Sequence, residues 1–213
     1  MTSISKEQLQ ALAPQAFANY RDAILNGQAV LDQFQISSSP LRMAHFFAQI
    51  LHESSILKAQ HELLNYSPES LVSTFPKYFL PIGKLNPADY AHNGEKFANA
   101  VYGNRMGNTD PNDGFTYRGR GILQLTGKDN YKSATIRLRK TNPTVPDFVK
   151  DPEAVLSTQW SLAVAASFWA EHGCNAAADK DDLKAVTQII NGGQKGIVER
   201  GALLKQTKAM FIK

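Results

Sequence analysis

Between Tyr102 and Thr126 the chain cannot be one helix. Gly103, Gly107, Gly114, Gly119 and Gly121 interrupt it, and Asn, Asp and Arg crowd the positions between them. On both sides apolar residues recur at helical spacing. Lys6 to Ala13 and Gln15 to Leu25 read as helices broken at Pro14, and Val30 to Phe34 continues the pattern. Ser39-Pro40 is a cap followed by proline at the first helical position. Leu41, Ala44, Phe47, Ala48 and Leu51 then share one stripe of a helix ending near Glu53. Ser67-Pro68-Glu69-Ser70 opens a shorter helix in the same way, stopped by Pro76, and Glu95 to Val101 is another. Past the glycines, helices are expected over about Asp129 to Arg139, Pro152 to Glu171, Asp181 to Ile190 and Val198 to Phe211, with Asp151-Pro152 and Asp179 as starts. The expected fold class is mainly α, with a small irregular or β segment around residues 103–126. Within it Ile122-Leu123-Gln124-Leu125-Thr126 alternates like a short strand. Irregular segments of this length in a compact domain commonly carry function.

The 213 residues suffice for one buried core, hiding roughly 70% of the unfolded surface. No repeat or low-complexity linker divides them, so residues 1–213 are expected to form a single domain. Lys and Arg number 23 against 19 Asp and Glu, a net charge of +4. That excess suits a polyanionic partner: nucleic acid, an anionic membrane surface or a bacterial envelope. No basic stripe is interleaved with aromatics, so no nucleic-acid partner is expected. Cys174, the one cysteine, excludes an intramolecular disulfide and is expected as a packed side chain at a helix end. Met1 to Glu7 has no basic stretch leading into an apolar core, so no secretory signal is expected. No apolar run approaches the roughly 18 residues of a membrane span. The last helix carries Arg200, Lys205, Lys208 and Lys213, which could touch anionic lipid. A docked helix with a solvated basic face is the expectation, with no stable membrane insertion.

Two carboxyls stand out. Glu53 closes an apolar helix. A carboxyl partly shielded from water holds its proton more tightly, the property required of a proton donor to a glycosidic oxygen; a solvated helix-end glutamate is the alternative. Glu62 follows in His61-Glu62-Leu63-Leu64-Asn65-Tyr66-Ser67. A chain turning back after Glu53 could set it across a cleft, as inverting glycosidases set two carboxyls about 6.5–9.5 Å apart around a water. Glu69 and Glu95 are rivals for the second carboxylate. Tyr117-Arg118-Gly119-Arg120-Gly121 allows close backbone approach beside forked donors, and Gln124 and Thr126 would share one strand face. Other chemistries fail on spacing. His52-Glu53 lacks a second histidine at Ile56, Gly127-Lys128 is followed by Asp129 rather than a hydroxyl residue, and the pair Gly119 and Gly121 meets Gln124 where a dinucleotide loop has glycine. No metal and no cofactor are expected.

Taken in order, His52-Glu53-Ser54, Glu62, Asn65-Tyr66-Ser67, Tyr102-Gly103-Asn104-Arg105-Met106-Gly107-Asn108, Gly114 to Thr126 and Ile189-Ile190-Asn191-Gly192-Gly193 resemble the family 19 glycoside hydrolases, most of all the bacterial and phage endolysin-like members. The resemblance spans about Leu41 to Arg200. It implies a lysozyme-like, two-lobed helical domain around a saccharide cleft, and inverting, metal-free cleavage of a β-1,4 bond beside an N-acetylated sugar. Glu53 matches the family's general acid, Glu62 sits where short-loop members carry the base, and Thr126 matches a residue important in endolysin-like members. Tyr102, Arg118, Gln124, Asn130, Tyr131, Asn191 and Arg200 match positions that line the cleft or support the acid. The long insertions and cysteine pairs of plant members are missing, and Lys195 stands near an acidic cleft residue of theirs. The wording of Asn65-Tyr66-Ser67 and Arg105-Met106-Gly107-Asn108 favours peptidoglycan glycan strands over chitin as partner. The implied protein is a monomer without a separate cell-wall-binding domain, made in a bacterial host cytoplasm and acting on the wall in the periplasm after release.

Overall fold

A computed structural model describes Met1 to Ile212; Lys213, counted above among the basic residues of the last helix, lies outside the described residues. Twelve α-helices are found among the described residues. They are α1 (Lys6–Leu12), α2 (Ala18–Leu25), α3 (Gln28–Gln33), α4 (Pro40–Glu53), α5 (Pro68–Thr74), α6 (Gly94–Tyr102), α7 (Asp113–Thr116), α8 (Lys128–Arg139), α9 (Ser161–Glu171), α10 (Cys174–Asp179), α11 (Leu183–Asn191) and α12 (Ile197–Phe211). None is long and apolar enough to cross a membrane.

α4 organises the larger lobe. Ser39 Oγ accepts from the Leu41 amide and Pro40 supplies a preset φ, so the start is locally encoded. Met43 through Leu51 are all buried, not merely the stripe visible in the sequence, because other helices surround α4. α12 lies along it: Thr207 Oγ1 donates to the Ala44 carbonyl at 2.8 Å, and the Phe47 and Phe211 rings meet at 5.5 Å. α9 closes another side, with Trp169 edge-on to Phe46 at 5.3 Å. A second apolar cluster, around Tyr117, Tyr131, Phe148 and Trp160, shares Val30, Phe34 and Leu156 with the first. A third, built on Leu71, Phe79, Phe97 and Val101, shares no residue with either and forms the smaller lobe. Its rings pack closely, Phe75 to Phe97 at 4.9 Å and Tyr66 to Phe97 at 5.1 Å. The fold is mainly α and lysozyme-like.

Three expectations are corrected. The helix expected from Pro152 to Glu171 is split into a 3-10 turn (Pro152–Leu156) and α9, because Ser157 is extended and its hydroxyl bonds Ala154 O and the Trp160 amide, offering the backbone an alternative to the helix. Asp179 does not start a helix. It ends α10, where its carboxylate pairs with Arg42 at 2.6 Å, and Asp182 caps α11 by accepting from Ala185 N at 2.9 Å. The run Ile122 to Thr126 is not a strand but mostly the turn of a tight hairpin.

Candidate active site

Glu53 ends α4, where its side chain is 16% exposed and an ion pair from Arg200 Nη2 meets Oε1. Arg200 is 1% exposed. Its Nη1 donates to Gln49 Oε1, one turn back on α4, and its Nε to Lys195 O at 3.1 Å. All three nitrogens are engaged inside the protein, so Arg200 fixes the Glu53 carboxylate and does not contact substrate as the expectation allowed. The α11–α12 turn closes tightly over His52: a Cβ at Gly196, where φ is +72°, would stand 2.3 Å from His52 Nε2. Burial, and then the Arg200 charge, push the His52 imidazole below its ordinary value, so this ring is neutral beside the Glu53–Arg200 pair.

After α4 the chain reverses. Ser54 Oγ accepts from Leu57 N at 2.9 Å, and Ser55, Ile56 and Leu57 all adopt positive φ. The returning segment lies beside the glycine-rich hairpin. His61 pairs with Arg120, Gly121 N donates to Gln60 O, and Glu62 N donates to Gly119 O. Glu62 is thereby fixed through its backbone. Its Oε1 accepts from Gly119 N at 2.7 Å and its Oε2 from the Tyr102 hydroxyl at 2.8 Å. Burial, then the Glu62 charge, push the Tyr102 phenol upward, so it remains a donor. A carboxylate has about four lone-pair sites, and two donors leave room for a water.

Arg120 and Leu125 form the hairpin's one backbone-paired rung, with Gly121 at φ +81° and Gln124 at φ +49° in the turn. Although no strand aligns them, Gln124 and Thr126 do converge. A Cβ at Gly119 would stand 3.1 Å from Gln124 Oε1, 3.2 Å from Thr126 Oγ1 and 3.3 Å from Glu62 Cβ. An amide, a hydroxyl and the carboxylate-bearing chain thus ring one glycine. The hairpin also walls a cavity of about 500 Å³, lined by Met106, Gln124, Thr126, Asn130, Phe168 and Asn191 among others. Glu53, Glu62 and Gly119 do not line it; Glu62 adjoins, across Gly119, the Gln124 and Thr126 side chains that do.

One further expectation of substrate contact is corrected. Tyr131 is fully buried, its hydroxyl donating to Arg118 O at 2.8 Å and accepting from Arg120 Nη1 at 3.0 Å, and burial pushes it up to about 12. Arg118 lies over the Phe115 ring at 4.2 Å and donates to the Phe115 carbonyl, stiffening the loop. Asn130 lines the cavity and donates to Thr126 O at 2.7 Å. Glu69 and Glu95 sit exposed in the first turns of α5 and α6. Glu153 is a residue the sequence reading missed. It accepts from Arg120 Nε at 2.7 Å and faces His61 Nε2 at 3.1 Å, clamping both sides of the Glu62–Gly119 ladder. The sequence showed it only as part of a helix start. Among the described residues, no group of three or more His, Cys, Asp or Glu could hold a metal ion.

No family model matches the chain. A protein of Haemophilus influenzae described as a glycosyl hydrolase family 19 domain-containing protein is 36% identical over 167 residues, 78% of this chain and 78% of that one. This chain belongs to glycoside hydrolase family 19. Solved structures share its fold: a class IV family 19 chitinase from Zea mays, with TM-score 0.63 at 16% identity over 98% of this chain and 92% of that one, and chitinase C of Streptomyces griseus, with TM-score 0.61 at 18% identity over 98% and 76%. As a family 19 glycoside hydrolase, the chain keeps that architecture within 213 residues.

Proposed function

We propose that this family 19 hydrolase cleaves β-1,4 bonds in the glycan strands of bacterial peptidoglycan by inverting acid–base catalysis. Glu53 donates a proton to the glycosidic oxygen. Glu62 takes a proton from a water, which attacks the anomeric carbon from the opposite face, and the Gln124 amide and Thr126 hydroxyl position that water and the sugar. The observation that carries this is the ring of Glu62, Gln124 and Thr126 around Gly119 at the wall of a sugar-sized cavity. Arg200, held between Gln49 and Glu53, orients the acid and keeps its oxygen where a leaving group would arrive. Asn130 and Asn191, which line the same cavity, offer amides to the substrate. The peptidoglycan preference rests on the Asn65-Tyr66-Ser67 and Arg105-Met106-Gly107-Asn108 segments and the net charge of +4. As part of the same proposal, the protein is made in a bacterial host cytoplasm and acts as a monomer on the wall after release. A chitinase reading is favoured by fold neighbours that are chitinases.

The test is mass spectrometry of fragments released from purified sacculi, with the reducing ends identified, beside cleavage of chitin oligomers. Soluble muropeptides with new reducing ends are expected. Cleavage of chitin oligomers with intact sacculi would move the assignment to chitin.

A further inference from the structure

Asn130, which lines the main cavity, also lines a second groove of about 290 Å³, together with Ser133, Ile136, Arg137, Lys140, Glu171 and His172. The two lie side by side along α9, where the Phe168 ring, a wall of the first, stacks at 3.9 Å on His172, a wall of the second. Arg137, on α8, dominates this groove. Its side chain is only 10% exposed, and Nη1 pairs with Glu171 at 2.9 Å. Nε and Nη2 are buried and have no hydrogen-bond partner among the described residues. These two N–H groups form the side edge of the guanidinium fork, whose spacing matches the two oxygens of a carboxylate. Buried donors without partners are costly and rare in native proteins, so a pair of them on one edge calls for an acceptor. Lys140 and His172 line the same groove, and Glu171, its one acidic residue, is 48% exposed.

We propose that Arg137 is the centre of a carboxylate-binding subsite that holds an acidic group of the glycan substrate beyond the cleavage site. The proposal rests on the peptidoglycan reading. The carboxylate is either the lactyl acid of an N-acetylmuramic residue or an acid of its peptide stem; chitin has neither. An entering carboxylate takes the Nε–Nη2 edge as the Arg137 side chain turns it toward the groove, with Glu171 remaining on Nη1. Arg137 is then a specificity-determining residue, remote from the reacting atoms.

The experiment measures binding by calorimetry in a Glu53→Gln background, so that ligand is not consumed. Three tetrasaccharides are compared: chitotetraose, the alternating N-acetylglucosamine–N-acetylmuramic acid chain with free lactyl acids, and the same chain carrying peptide stems. At least one acidic chain is expected to bind about tenfold tighter than chitotetraose. Which one it is identifies the source of the carboxylate. Arg137→Gln should erase that preference and leave chitotetraose binding unchanged. Arg137→Lys, which keeps the charge but lacks the fork, should retain little of it. Glu171→Gln removes the neighbouring negative charge, which repels an entering carboxylate, and should enlarge the preference; it also keeps the test decisive where an Arg137 variant folds poorly. Equal affinity for all three chains, or a preference that survives Arg137→Gln, overturns the subsite. Intact sacculi after treatment with the wild-type protein, together with a preference that depends on Arg137, would overturn the enzymatic reading and leave the subsite standing.

Discussion

Glu53 and Glu62 are held by opposite means. Glu53 meets a buried guanidinium that is itself locked by Gln49 and Lys195 O, whereas Glu62 is met by two neutral donors, a backbone amide and a phenol. Replacing Glu53 with Gln keeps its shape but removes the transferable proton. Hydrolysis of sacculi should fall roughly 10²–10⁴-fold, with the thermal melt little changed. Lysis at the wild-type rate would mean that another group is the acid. Arg200→Leu strands the shielded carboxyl. It should cost about 3–5 kcal/mol of stability, read from urea unfolding, because one partner of a buried pair is removed. Tyr102→Phe removes a charge-assisted hydrogen bond to the Glu62 carboxylate, worth about 1.5–3 kcal/mol, and should lower kcat roughly ten- to hundredfold with little effect on KM.

At the scale of elements, the hairpin and α4 do most of the positioning. Gly119 lies where the returning Glu62 segment, the Gln124 amide and the Thr126 hydroxyl crowd together, with the nearest atoms 3.1–3.3 Å from a would-be Cβ. Gly119→Ala should therefore displace the Glu62, Gln124 and Thr126 side chains by a few tenths of an ångström and, on the proposed mechanism, cut kcat roughly tenfold while leaving the melt nearly unchanged, since geometry of this kind is felt in rate before stability. α4 also carries a fully buried histidine. His45 packs against Asp181 at 2.8 Å, with Lys208 on the far side of that aspartate and Asp182 nearby. Burial outweighs the carboxylates and lowers the His45 imidazole below its ordinary value of 6.5. The folded protein then binds fewer protons than the unfolded chain, so stability is full above that ordinary value and declines as pH falls through the lowered one. Asp181, lowered in turn by Lys208 and His45 against its own burial, adds a further loss at more acidic pH. Urea midpoints at about pH 7.5 and about pH 5 should differ in the wild type and differ less in His45→Gln; identical slopes would remove His45 as the cause.

For the whole molecule, two lobes with separate apolar cores flank the site, and Glu62 is bonded to Tyr102 at the edge of the smaller one. The basic surplus acts at this scale too. Sacculi are polyanionic, so initial lysis rates should fall as salt is raised from about 50 to about 300 mM, while cleavage of neutral chitin oligomers, if any, should hardly respond. Helices with strong local signals were legible in the chain: α4 and α8 show their apolar spacing, and α4 a Ser–Pro start. The division of Pro152 to Glu171 was not legible, because it depends on one serine hydroxyl competing with the helix. Nor was the short α10, which owes its place to burial of Cys174, Ala177 and Ala178 against its neighbours.

The chain's own pattern of residues was enough to determine an α-rich domain interrupted by a glycine-dense segment, the two glutamates, and the order of motifs that marks the family, because periodicity, caps and motif spacing are local properties. Which side chains face one another was decided only in three dimensions. Arg200 reaches Glu53 across 147 residues and Gly119 meets Glu62 across 57, and pairings at such separations follow from how the helices pack and where the chain turns back. The same packing withdrew Tyr131 and Arg200 from the substrate and brought Glu153 and Arg137 forward, since burial depends on neighbours that no stretch of sequence contains.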